Sequence, residues 1–221
     1  MALPPVPDYP MPSTDQLPPN RVGWRCTPSR AALLVHDMQA HYLAPYPEAA
    51  SPRRELIENT ASLCGAARTA GIPVFWSVAR PAEERAERGL LWDFWGPGMA
   101  GDGARVVAPL VPAGDEGVVV KHRYSAFHRT DLLARLAAAG RDQLVICGVY
   151  AHIGVYATAC DAFMSDIAPF LVADAVAAFN PDQHLGALQL AAGQCAAVQT
   201  TSQILTSWSL TTGLEQLVHP A

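Results

Sequence analysis

Apolar positions in this chain come in two rhythms. Short, mostly apolar runs at Ala31–Val35, Pro73–Val78, Gly117–Val120, Gln143–Cys147, Phe170–Ala173 and Ala196–Thr200 have the length of strands. Several hold no polar residue at all, as strands covered on both faces do. Between them, longer amphipathic stretches predict helices over Arg54–Thr69, over Asp131–Ala139 up to Gly140, over roughly Ile153–Asp166, and over Pro181–Gln194 with Asn180 as N-cap ahead of Pro181. This alternation of strand and helix predicts an α/β fold, a mainly parallel sheet of about six strands flanked by helices. The ligand site of such a sheet lies at the carboxyl ends of its strands, and Asp37, Ala79, Lys121 and Tyr150 all fall there.

The pattern divides the chain into a proline-rich arm over residues 1–30, one domain over 31–205 and a tail over 206–221. The arm reads as extended chain, either disordered or laid across a neighbouring subunit. With 221 residues, 50% hydrophobic and 16% charged, the chain is long and apolar enough for one sizeable core. A net charge of −5 gives no basic footprint for nucleic acid or for an anionic membrane, so any anionic substrate must be met by local cations. Five scattered cysteines without CxxC spacing fit neither a disulfide framework nor a zinc site and point to the cytoplasm. The arm lacks a signal-peptide core, and the apolar stretch after Leu144 is interrupted by His152 and Asp161. A soluble protein is expected.

Several residues are candidates for chemistry, each with a plainer role beside it. Asp37 ends the buried run Leu33-Leu34-Val35-His36, where a carboxylate either caps a loop or serves as an acid. Lys121 closes Val118-Val119-Val120 and opens the basic cluster Lys121-His122-Arg123, in which Arg123 is expected to pair structurally. The histidines show no HxH or HxxxH spacing on a credible helix, so no metal is expected. The run LLWDFWGPGM, Leu90 to Met99, reads as a packed loop whose Trp92, Phe94 and Trp95 offer an apolar wall. Gly148 to Gly154 ends one strand and opens a helix, whose first amides would favour developing negative charge at the site. No GxGxxG or Walker pattern is present.

The motifs LLVHDMQ, GLLWDFWGPGM, KHRYSAFH, GRDQLVICGVYAHIG, DAF and PFLVADA, in this order over about residues 31–200, resemble the isochorismatase family. Lacking a carrier-protein segment after Thr200, the chain looks more like the stand-alone phenazine-pathway members than the two-domain siderophore ones. The resemblance implies a three-layer Rossmann-like fold, a homodimer, and hydrolysis of the enolpyruvyl vinyl ether of isochorismate or 2-amino-2-deoxyisochorismate without cofactor or metal. It implies that Asp37 is the proton donor and Lys121 its partner, and that Arg88 binds a substrate carboxylate. Tyr150 becomes a substrate contact following a cis peptide, and Gly154 takes the place that a cysteine nucleophile holds in related hydrolases.

Three positions depart from the family pattern. Ala79 stands where a substrate-contacting glutamine is usual, Arg80 where a proline follows it, and His122 where a tryptophan is usual. The ring substituent of the substrate is therefore open. Two other readings are a catalytically silent binding or scaffold homologue and a thiol-dependent amidase, and Gly154 argues against the latter.

Overall fold

The computed structural model describes residues 3–82, 84–114 and 116–218, with 210–218 described as backbone only. Its elements are β1 (Ala31–His36), α1 (Ala40–Leu43), α2 (Arg53–Thr69), β2 (Val74–Ala79), α3 (Arg85–Arg88), α4 (Leu91–Trp95), β3 (Gly117–Lys121), α5 (Leu132–Ala138), β4 (Gln143–Val149), α6 (Tyr156–Met164), β5 (Ala168–Ala177), α7 (Pro181–Gln194), β6 (Ala197–Gln199) and α8 (Thr201–Val218). The six strands form one sheet in the order β3-β2-β1-β4-β5-β6, every pairing parallel. The chain builds outward from β1 to β3, then crosses back to start the other half at β4. Loops leaving β1 and β4 in opposite directions open a crevice above the sheet at that switch point.

Strand side chains alternate between two cores. Leu33 and Val35 of β1 face α2, α8 and the N-terminal arm, with Leu56, Leu63, Ile204 and Trp208 buried on that side. Ala32 and Leu34 face the opposite layer, where Leu132, Leu136, Ala159, Leu188 and Ala191 of α5, α6 and α7 pack. Because β1 lies at the centre, all six of its residues are buried, which is why its sequence shows no polar alternation. Truncating Leu33 or Leu34 to Ala at such a site costs about 2–5 kcal/mol.

Helix ends follow the sequence signals closely. Asn180 Oδ1 accepts the Gln183 amide proton at 2.8 Å, with Pro181 supplying a first-turn residue that needs no donor. Elsewhere the structure departs from the pattern. The expected loop at 90–99 contains a one-turn helix, α4. The strand expected over Phe170–Ala173 runs from Ala168 to Ala177, past Asp174. Asp174 is tolerated in β5 because its carboxylate accepts from Thr201 N at 2.7 Å and Thr201 Oγ1 at 2.8 Å, at the start of α8. The division between residues 205 and 206 falls inside α8.

The arm binds its own domain. Val6 N donates to Pro45 O at 3.0 Å and Tyr9 N to Ser51 O at 3.2 Å. The buried Tyr9 hydroxyl donates to Ala178 O at 3.1 Å and accepts from Ala178 N at 2.9 Å. Asn20 pairs the same way with Val198, at 2.9 and 2.7 Å. No helix among the described residues is long and apolar enough to cross a membrane.

Candidate active site

Four strand ends meet in the crevice. β1 delivers Asp37, β2 ends on Ala79, β3 ends on Lys121 in register with Ala79, and β4 leads into Tyr150 through a cis Val149–Tyr150 peptide, as the resemblance implies. The cavity above them spans about 740 Å³, its open mouth included, within the range of small-molecule sites.

Asp37 and Lys121 are 5% and 4% exposed and form an ion pair, Nζ to Oδ2 at 2.7 Å. Lys121 also donates to Arg123 O at 3.0 Å. The second carboxylate oxygen, Asp37 Oδ1, is buried without a hydrogen-bond partner, although Asp37 lines the cavity. The residue sits at φ 52°, a left-handed conformation that Asp tolerates better than most, fixed by Asp37 N to Ser77 O at 2.9 Å and Gln39 N to Asp37 O at 2.7 Å. One oxygen is thus committed to the ammonium and the other is available.

Ala79 carries no polar side chain, and its backbone is already engaged. The Gln39 amide accepts from Ala79 N at 2.9 Å and donates to Ala79 O at 2.8 Å and Ala104 O at 2.7 Å, tying β1, β2 and the loop before β3 together. Arg80 lines the cavity and pairs with Glu87 at 3.3 Å, with half of its side chain exposed. Arg88 lines the cavity from α3 and donates from Nε to Gly96 O at 2.6 Å. Arg123 makes the structural contacts expected of it, NH1 to His122 O at 2.7 Å and to Glu87 O at 3.4 Å, yet it too lines the cavity.

Trp95 forms part of the wall, its Nε1 donating to the Tyr124 hydroxyl at 2.8 Å. Phe94 does not. One position back on the single turn of α4 it faces outward, 66% exposed and outside the cavity lining, because a helical turn cannot point both neighbours the same way. Tyr150 closes the opposite side, with its hydroxyl donating to Tyr42 O at 2.7 Å and its ring 4.4 Å from that of Phe179. Burial, with the neighbouring Tyr42 and Asp37, holds the Tyr150 phenol above its ordinary range, so it stays protonated. His122 lines the wall, where burial, Arg80 and Arg123 hold its imidazole below the ordinary range.

Two glycines solve problems of close approach. Gly148 has φ 113°, and a Cβ there would lie 2.0 Å from His36 O, so β4 passes β1 only without a side chain. Gly154 lines the cavity, and a Cβ on it would lie 2.5 Å from His36 Cε1. The helix expected from about Ile153 begins as a π-turn, Ala151–Val155, before α6. The Ile153 and Val155 amides donate to Tyr150 O at 3.0 and 3.2 Å, so these two do not serve a ligand as the sequence suggested.

Sequence reasoning missed His41, Tyr42, Tyr124, Ile153 and, from the arm, Leu3 as parts of the wall. Tyr42 and Ile153 lie near motif residues, whereas nothing in the local pattern places Leu3 at a site. No cysteine lines the cavity, and among the described residues no cluster of three or more His, Cys, Asp or Glu could hold a metal ion.

The fold is an α/β architecture shared with cysteine hydrolases, and no thiol stands at the site. A cysteine hydrolase from Pseudomonas syringae pv. phaseolicola 1448A superposes with a TM-score of 0.77 over 88% of this chain and 98% of that one, at 23% identity, a likeness of fold alone. The chain belongs to the isochorismatase family, whose isochorismatase domain model matches residues 31–203. It is 47% identical to phenazine biosynthesis protein PhzD1 of Pseudomonas aeruginosa PAO1 over 205 residues, 92% of this chain and 98% of that protein. It is 45% identical to enterobactin synthase component B of Escherichia coli K12 over 207 residues, 93% of this chain and 73% of that protein.

Proposed function

We propose that this hydrolase cleaves the enolpyruvyl vinyl ether of 2-amino-2-deoxyisochorismate or isochorismate, with Asp37 as proton donor. The observation that carries the reading is the divided carboxylate of Asp37, one oxygen bound to Lys121 and the other free of protein partners beside the cavity. A proton held on Oδ1 passes to the terminal methylene carbon of the enol ether, leaving an oxocarbenium ion. Lys121 then compensates the new buried carboxylate. Water adds to the cationic carbon and returns a proton to Asp37; the hemiketal breaks its ether bond, giving pyruvate and the ring alcohol.

Charge in the cavity supports a dianionic substrate. Four cations, Arg80, Arg88, Lys121 and Arg123, face two anions, Asp37 and Glu87, an excess of two in a chain whose net charge is −5. Arg80 and Lys121 are spent on Glu87 and Asp37, and among the described residues Arg88 and Arg123 have no ion-pair partner. These two guanidiniums fit the two carboxylates of an isochorismate-type substrate, with Arg88 the first assigned and Trp95 and Tyr150 packing the ring. Ala79 removes one side-chain hydrogen bond, worth about 0.5–1.5 kcal/mol, so activity survives its presence. The resemblance to the phenazine-pathway members noted in the sequence is the reason for preferring the amino substrate, and 47% identity to phenazine biosynthesis protein PhzD1 is in keeping with it. The working form is taken to be a homodimer, which sedimentation would check.

Pyruvate release measured with both substrates side by side tests the reading. The expected result is turnover of each, with higher kcat/KM for the amino compound; no pyruvate from either overturns it. Iodoacetamide should leave that rate unchanged, since no cysteine reaches the cavity and burial pushes the Cys64 and Cys195 thiols up to about 12.

A further inference from the structure

His36 is fully buried in the last position of β1 and is not part of the cavity lining. Its ring is held between two stretches of backbone: Nδ1 lies 2.9 Å from Val149 O at the end of β4, and Nε2 lies 3.2 Å from Tyr124 O beyond β3. The ring edge faces Gly154. A Cβ there would meet His36 Cε1 at 2.5 Å, His36 Nε2 at 3.1 Å and Tyr124 O at 3.1 Å, well inside the roughly 3.5–4.0 Å at which carbon atoms pack. Two of the three obstacles belong to one ring, which is fully buried inside a central strand and held through whichever nitrogen carries its proton.

We propose that His36 is a positioning residue that fills the side-chain space of position 154, so that residues 36 and 154 together decide the class of chemistry the cavity performs. With His36 present, its ring crowds any side chain at 154, and Asp37 is left to act as an acid toward water-accepting substrates. A nucleophile at 154 requires a smaller residue at 36. The ring also braces the acid. Its contacts reach the backbone of Val149, at the end of β4, and of Tyr124, the residue after the Arg123 whose carbonyl accepts from Lys121. Burial holds the imidazole below its ordinary range despite Asp37 at 3.6 Å. The inference does not depend on which vinyl ether the enzyme accepts.

A double-mutant cycle tests it, using His36→Ala and Gly154→Ala, singly and combined, with Tm as the readout. Overpacking makes Gly154→Ala alone lower Tm by about 5 °C or more, while the same change in the His36→Ala background costs little. A second arm places a thiol at the position with Gly154→Cys, alone and with His36→Ala, and follows iodoacetamide labelling of that peptide by mass at neutral pH. The introduced thiol should label at least ~10-fold faster in the His36→Ala background, where it has room to face the cavity and Lys121. If Gly154→Cys alone yields no folded protein, recovery of folding by His36→Ala supports the proposal. Wild-type Tm for Gly154→Ala, additive losses in the cycle, or equal labelling rates overturn it. Failure of pyruvate release in the wild-type enzyme would leave these readouts untouched, so the two readings fail separately.

Discussion

The floor of the cavity is made of strand ends and its lid of two single-turn helices, and the same kinds of charged residue behave differently in each. On the floor, Asp37 and Lys121 lie at 2.7 Å, both almost wholly buried. On the lid, Arg80 pairs with Glu87, and Arg85 with Asp93, with about half or more of most of these side chains in solvent. A buried pair is expensive to break, about 3–5 kcal/mol, because the survivor is left charged without a partner. An exposed pair is worth about 0–1 kcal/mol. On the proposed reading, chemistry is therefore locked where substitution threatens the fold, while substrate contacts sit where residues such as Arg80 can change at little cost.

The largest effect should come from the floor. Asp37→Asn keeps the shape and removes the transferable proton, and turnover should fall at least ~10³-fold with circular dichroism unchanged; near-normal turnover would remove Asp37 from the mechanism. Lys121→Met should cost about 3 kcal/mol in chemical denaturation as well as activity, since it strands the buried Asp37 without its partner. On the lid, Arg88→Ala should raise KM about 10–100-fold, the loss of one charge-assisted contact to a carboxylate, with Tm nearly unchanged. A fall in kcat at constant KM would place Arg88 in the chemistry and break the contrast. Smallest of all, Arg80→Ala should change stability by no more than about 1 kcal/mol, read from the denaturation midpoint.

Much of the floor was legible in the sequence because its signals are local. Leu33-Leu34-Val35 names a covered strand, the residue after its last position names a strand end, and parallel topology then gathers Asp37, Lys121, Ala79 and Tyr150 without further information. The lid was less legible. Gly and Pro around 90–99 suggest a loop, yet Leu91–Trp95 closes one helical turn, and the direction of Phe94 depends on that turn. No local signal singles out His36, since its contact with Gly154, 118 positions along, is one that no spacing rule encodes. Asp174 marked the apparent end of β5 because its partner, Thr201, belongs to another element. In each case the missing information was the identity of a neighbour distant in sequence.

The reciprocal hydrogen bonds of the arm set a timetable for folding. Tyr9 waits for Ala178, Asn20 for Val198, and Cys26 for the indole of Trp208, partners 169, 178 and 182 residues downstream. A chain emerging from the ribosome must reach residues 178, 198 and 208 before these three contacts can form. Until then the arm can meet only its nearer partners, Val6 N with Pro45 O and Tyr9 N with Ser51 O. The arm is thus fastened in two stages, the second only after β5, β6 and α8 have been made.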